Sequence, residues 1–137
     1  MKRFGIACLV ISCLFGLAVA WHFFTASLAR RSLPWGATEI HEHYSDSGFP
    51  HYDFHRYLKA RITETEFKAY AAKLNLSRIY STEKHADLSP RWGSLDEPWW
   101  TPPASLDGAY FDHIDGDDYF AMAKYDNGYV YFVAMSW

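Results

Sequence analysis

Between Phe4 and Phe24 the chain carries no formal charge, a run of 21 residues reading FGIACLVISCLFGLAVAWHFF. A helix needs about 20 such residues to cross about 30 Å of hydrocarbon, and this run meets that length. Lys2 and Arg3 precede it, and Trp21 and His22 stand near its outer end, where amphipathic rings favour the membrane interface. The expectation is an N-terminal transmembrane helix acting as a signal anchor within residues 1–31, followed by a domain over residues 32–137. The same letters support two other readings. Ala18-Val19-Ala20 is an A-x-A site behind a basic start, so cleavage following Ala20 would release a secreted domain. Val10-Ile11-Ser12-Cys13 loosely fits a lipobox, but the chain stays apolar after Cys13, where a lipoprotein turns polar. The anchor is preferred because cleavage would leave Trp21-His22-Phe23-Phe24 as a new terminus, better suited to an interface. Lys2 and Arg3 nearly balance Arg30 and Arg31 across the run, and its export-like character favours a cell-membrane protein with its domain extracytoplasmic. Ser12, Gly16 and Ala20 recur every four residues, a spacing of small residues that lets two membrane helices approach as a homodimer.

The remaining 106 residues can bury one core unaided. Cys8 and Cys13 both lie in the apolar run, so the domain has no disulfide. It holds nine Lys and Arg against sixteen Asp and Glu, a formal charge of −7. A surface of that sign repels phosphate backbones and anionic lipid heads, which argues against nucleic acid as a partner. Aromatic residues make up 19% of the chain, far above the content of disordered segments.

Alternation then supplies strands. Thr38–Tyr44 and His51–Ile62 flank the turn residues Ser45-Asp46-Ser47-Gly48, and the second run carries Tyr52, Phe54 and Leu58 on one face. Thr63 and Glu66 form a capping box ahead of the stripe Phe67, Tyr70, Ala71, Leu74, and Asn75 suits a left-handed cap. Four prolines between Pro90 and Pro103 exclude long regular elements there, although Arg78–Ser81 has the makings of a short strand. The end reads as three strands, GAYFDHI, YFAMAKY and YVYFVAMSW, the last two joined through Asn127-Gly128. Phe120 and Met122 should face the same way as Val133 and Met135. The order ββα–loop–βββ predicts an α+β domain, one antiparallel sheet of about five strands with a single helix on one face.

Three clusters are candidates for chemistry. His41 and His43 share one face of the first strand, and His51, Asp53 and His55 share one face of the second, on the side away from Phe54 and Leu58 and so expected toward solvent. Should the register bring the sets together, these four histidines offer imidazoles to Zn²⁺ or Cu²⁺, or form a pH-responsive patch. Trp99, Trp100 and Pro102 in DEPWWTPPASLDG are a candidate interaction surface for a peptide or a sugar face. The competing reading, preferred, folds the tryptophans back to cap the sheet with at least one ring buried. The acidic run DHIDGDD fails as a calcium loop, since with Asp112 as position one, positions three and five hold Ile114 and Gly116. No thiol, G-x-S-x-G or phosphate loop occurs in the domain, so no catalytic residues are assigned; His113 with Asp112 or Asp115 is the only acid–base pairing in view.

The segments LPWGAT, TETEFKAYAAKLNL, WWTPP and YDNGYVYFVAMSW, behind a single apolar segment, resemble those of small uncharacterised bacterial envelope proteins, lipoprotein-like or singly anchored, that share a W-W-x-P element. The likeness covers most of residues 33–137. It implies an extracytoplasmic domain of unknown role and carries over no catalytic residues. The function expected of the domain, taken from its own residues, is non-enzymatic binding of a partner protein or envelope component.

Overall fold

A computed structural model describes residues 11–17, 20, 26–48, 53–92, 95–113 and 119–136. The chain divides into two compact units, Met1–Arg31 and Ser32–Trp137. In the first, residues 11–17 are helical and Leu28–Arg31 forms a short helix, α1, whose Arg30 N–H donates to Ser27 Oγ at 3.0 Å. The expected transmembrane helix is corrected here. Among the described residues no helix is long and apolar enough to cross a membrane.

In the second unit one antiparallel sheet has six strands, not five. They are β1 (Thr38–Asp46), β2 (Phe54–Arg61), β3 (Arg78–Ile79), β4 (Tyr110–His113), β5 (Tyr119–Asp126) and β6 (Tyr129–Ser136), in the spatial order β1-β2-β6-β5-β4-β3. The extra strand is the stretch beginning at Arg78. It pairs with β4 for two residues, held by the flanking bond from Tyr80 N–H to the Ala109 carbonyl, 2.8 Å. Nor is there one helix alone. Besides α2 (Glu64–Lys73), the unit has α3 (Thr82–His85) and a 3-10 helix (Ala86–Trp92), both shorter than two and a half turns.

Local chemistry sets the boundaries. Thr63 Oγ1 accepts from Glu66 N–H while Glu66 Oε2 accepts from Thr63 N–H at 2.8 Å, satisfying two donors that the first turn of α2 leaves open. At the other end Asn75 takes φ +58. Leu76 N–H bonds the Ala71 carbonyl and Asn75 N–H the Ala72 carbonyl, both at 3.0 Å, which is a Schellman closure. Asn127 and Gly128 both have positive φ, as the two-residue turn between β5 and β6 requires.

The sheet is covered on both faces, and this is the main departure from the expected two layers. On one face α2 sets Phe67 edge-on to Tyr110 and Tyr70 edge-on to Phe132. On the other lies the segment from Tyr80 to Ala109, whose Leu88, Trp92, Trp100 and Leu106 pack onto Tyr57, Phe120, Met122, Val133 and Met135. Phe120 stands opposite Met135 and Met122 opposite Val133, so these four do share a face, and it is the one under the long segment. In consequence β6, an interior strand of the sheet, is buried continuously from Val130 to Met135, the pattern of a strand covered on both sides. Full burial of one large apolar side chain is worth about 1.5–3 kcal/mol, so the second layer supplies a major part of the unit's stability.

Candidate functional site

The long segment is pinned to the sheet by a small number of side chains, and they define the surface of interest. Lys59 on β2 donates from Nζ to the Trp99 carbonyl at 3.0 Å and to Thr101 Oγ1 at 2.9 Å. Its ammonium also lies 4.6 Å from the Tyr129 ring centre and 5.3 Å from that of Tyr131, close enough for both rings to attract the cation. Between those anchors Trp100 drops into the sheet. It is 6% exposed and meets Tyr57 at 5.1 Å, Tyr131 at 5.7 Å and Trp92 at 6.0 Å between ring centres. Burial pushes the Tyr57 phenol up. The indole nitrogens of Trp92 and Trp100 are buried without a hydrogen-bond partner, as is the Tyr80 hydroxyl.

Trp99 goes the other way. With Trp100 locked in the core and the Trp99 carbonyl held by Lys59, its ring is laid along the rim, half-buried, stacked on His41 at 5.3 Å with 13° between planes. Two residues earlier, Glu97 reaches the neighbouring histidine, with its Oε1 3.9 Å from His43 Nδ1. Pro102, three residues after Trp99 in the chain, is half-buried. The expectation that at least one of the two rings is buried holds for Trp100, which is core, while Trp99 lies at the rim.

The register answers where the histidines lie. His41 stands opposite Lys59 and His43 opposite Tyr57, while His55 stands opposite Ser45. All three are on one sheet face, but His55 is displaced from His43 by two residues along the sheet. His51 lies outside the described residues. Among the described residues no three His, Cys, Asp or Glu side chains come close enough to hold a metal ion within one chain. The face itself is corrected. It was expected toward solvent, but it contains Tyr57, 6% exposed, and carries the tryptophan layer; it is open at the β1 margin, where His41 is exposed, and at His55 on β2. Long polar residues misled the pattern, because Lys59 lays its stem under the loop while its head group finds carbonyl and hydroxyl oxygens.

Asp112 and His113 are neighbours on β4 and so point to opposite faces, which removes them as an acid–base pair; Asp115 lies outside the described residues. His113 turns its Nδ1 to the Tyr119 carbonyl at 3.3 Å. Sequence reasoning missed Lys59 and Glu97. The signal for Lys59 was its place two and four residues from Tyr57 and His55 on one strand face; for Glu97 there was none beyond its nearness to Trp99.

At the end of the sheet near the β5–β6 turn, a bulge in β1 gives Glu39 φ +50 and aims its carboxylate at Arg61 and at the Tyr129 hydroxyl, which donates to it at 2.6 Å. Arg61 holds the Glu39 carboxyl below its usual range, with help from Tyr129. An open cleft of about 410 Å³ adjoins it, lined by Thr38, Arg61, Thr63, Glu66 and Tyr125 among others. The arrangement closes the sheet corner. Comparison with family models, with curated proteins and with solved structures finds no match to this chain.

Proposed function

We propose that residues 32–137 form a non-enzymatic binding domain that holds a partner protein or envelope component against the rim built by Trp99, His41 and Pro102. Its place is outside the cytoplasm at the cell membrane, with the apolar run Phe4–Phe24 directing the chain there, or in the exterior after cleavage following Ala20. The observation that carries the reading is the division of the tryptophan pair. An aromatic ring held at the surface by core-locked neighbours costs little ordering entropy when a partner settles on it. Trp is also among the residues that most often dominate binding energy. The loop is therefore a rigid mount rather than a mobile arm, since Lys59 fixes the Trp99 backbone and Trp100 fixes its neighbour.

The experiment is photo-crosslinking in cells from a photoreactive residue at Thr101, exposed beside Trp99. The reading expects one discrete crosslinked species that disappears in Trp99→Ala while the domain melts close to wild type. An unchanged crosslink in Trp99→Ala, or a pattern no different from a probe at exposed Lys73, would remove the assignment.

A further inference from the structure

We propose that His41 and His43 form half of a Zn²⁺ or Cu²⁺ site that two copies of the chain complete by pairing their β1 strands. Within one chain the ligand count falls short, as no third His, Cys, Asp or Glu joins them among the described residues. The strand's position supplies what is missing. β1 ends the sheet on its side, is nine residues long, and shows both imidazoles on one face. Ser47 N–H bonds the Asp53 carbonyl at 2.9 Å, so by alternation His43–Tyr57 and His41–Lys59 are the pairs that bond inward toward β2. Toward the outer edge the same two residues then sit at non-hydrogen-bonded positions, where facing Cα atoms of an added antiparallel strand come within about 4.5 Å.

A two-fold pairing that sets His41 against the second copy's His43 also sets His43 against the second copy's His41. Four imidazoles then converge on one face of two adjacent strands, a donor set that suits Zn²⁺ or Cu²⁺. The residue between them does not oppose this. Glu42 points to the other face, and its carboxylate is already engaged by Arg56 Nη1 at 2.7 Å, so the two-fold does not face two bare carboxylates.

Two contacts shape the imidazoles for such a role. His41 stacks on Trp99 through its ring face, which leaves its nitrogens, at the ring edge, open to a ligand. Glu97 Oε1 lies 3.9 Å from His43 Nδ1, beyond hydrogen-bond distance but on the side from which a carboxylate orients a metal-bound imidazole once it closes to that nitrogen, leaving Nε2 for the metal. This inference stands apart from the Trp99 reading, because removing the Trp99 ring leaves both ligands in place.

The test is titration of the full chain, without a histidine tag and in non-ionic detergent, with ZnCl₂ by calorimetry, followed by sedimentation with and without chelator. The expected stoichiometry is about one zinc per two chains, with a zinc-dependent increase in chains per particle that the chelator reverses. His41→Gln and His43→Gln, which keep the strand polar, each abolish the heat. His55→Ala does not, and Glu97→Gln weakens binding about 10- to 100-fold. One zinc per chain, zinc heat equal in the His41→Gln, His43→Gln double variant, or loss in His55→Ala as complete as in His41→Gln would each overturn the proposal.

Discussion

Replacing Trp100 and Trp99 by alanine, one at a time, separates core from rim. Trp100 is 6% exposed and touches Tyr57, Trp92 and Tyr131. Deleting a buried ring of that size costs about 3–5 kcal/mol in transfer and cavity terms. A domain of this length has a total stability of about 5–15 kcal/mol, so Trp100→Ala removes a large part of it. At about 4–8 °C per kcal/mol, its melting temperature falls by more than about 12 °C. Trp99 is half-buried and rests on the imidazole of His41, a stacked pair worth about 0.5–1.5 kcal/mol beyond area. Trp99→Ala is therefore expected to lower the midpoint by less than half as much. Trp100→Phe adds a third point. It keeps most of the ring and removes an indole N–H that is buried without a partner, a group costly to leave unmet, so its loss is much smaller than that of Trp100→Ala. The assay is thermal and urea denaturation of the full chain followed by far-ultraviolet circular dichroism. Equal losses for Trp99→Ala and Trp100→Ala would refute the division of labour on which the binding surface rests.

Other consequences are quicker to check. Thr63→Ala removes the cap of α2 and is expected to cost about 1 kcal/mol in urea denaturation with an unchanged m-value. Lys59→Met keeps the stem but drops both bonds to the loop; limited proteolysis should then open the chain near residues 97–101 at a protease level wild type survives. Acid should weaken the domain through three carboxyls held below their usual range, Glu39 by Arg61, Glu66 by the Thr63 backbone and Asp107 by the Thr82 backbone. A depressed folded-state value contributes stability above the unfolded value and loses it as pH falls through the folded one, so the loss begins near the reference values of 4.5 and 3.8 and continues below them. Thermal midpoints measured from pH 6 down to pH 3 should fall less steeply in the triple variant Glu39→Gln, Glu66→Gln, Asp107→Asn.

Much of the fold was legible because its signals are local. The Thr63–Glu66 box, Asn75 and Asn127-Gly128 each act within a few residues, and each stands where its chemistry requires. Alternation likewise gave Phe120 and Met122 their shared face with Met135 and Val133. Three things were not legible. The pairing of β3 was one, since Arg78–Ser81 shows the makings of a strand but two residues carry no period and the partner β4 fixes them in the sheet. The cover over the second face comes from a proline-rich segment without regular structure, so no period announces which sheet face it will choose. And the histidine register, unbroken from the His41–Lys59 pair to the Asp46–Phe54 pair, follows from the β1–β2 connection, whose length the alternation does not encode. At least one buried ring was expected, and Trp100 is that ring, but which of the two turns inward was not legible. Adjacent residues point apart, and the bond from Lys59 to the Trp99 carbonyl, with the packing of Trp100 on Tyr57, Trp92 and Tyr131, accompanies the inward turn of Trp100.

The central claim is that the loop mounts Trp99 outward on a core-locked Trp100. Fluorine NMR of the full chain labelled with 5-fluorotryptophan, with resonances assigned by single substitutions, tests it most directly through relaxation by a soluble paramagnetic probe. The account predicts strong broadening of the Trp99 resonance and little at Trp100 and Trp92. Comparable broadening of Trp99 and Trp100, or a protected Trp99, would contradict it.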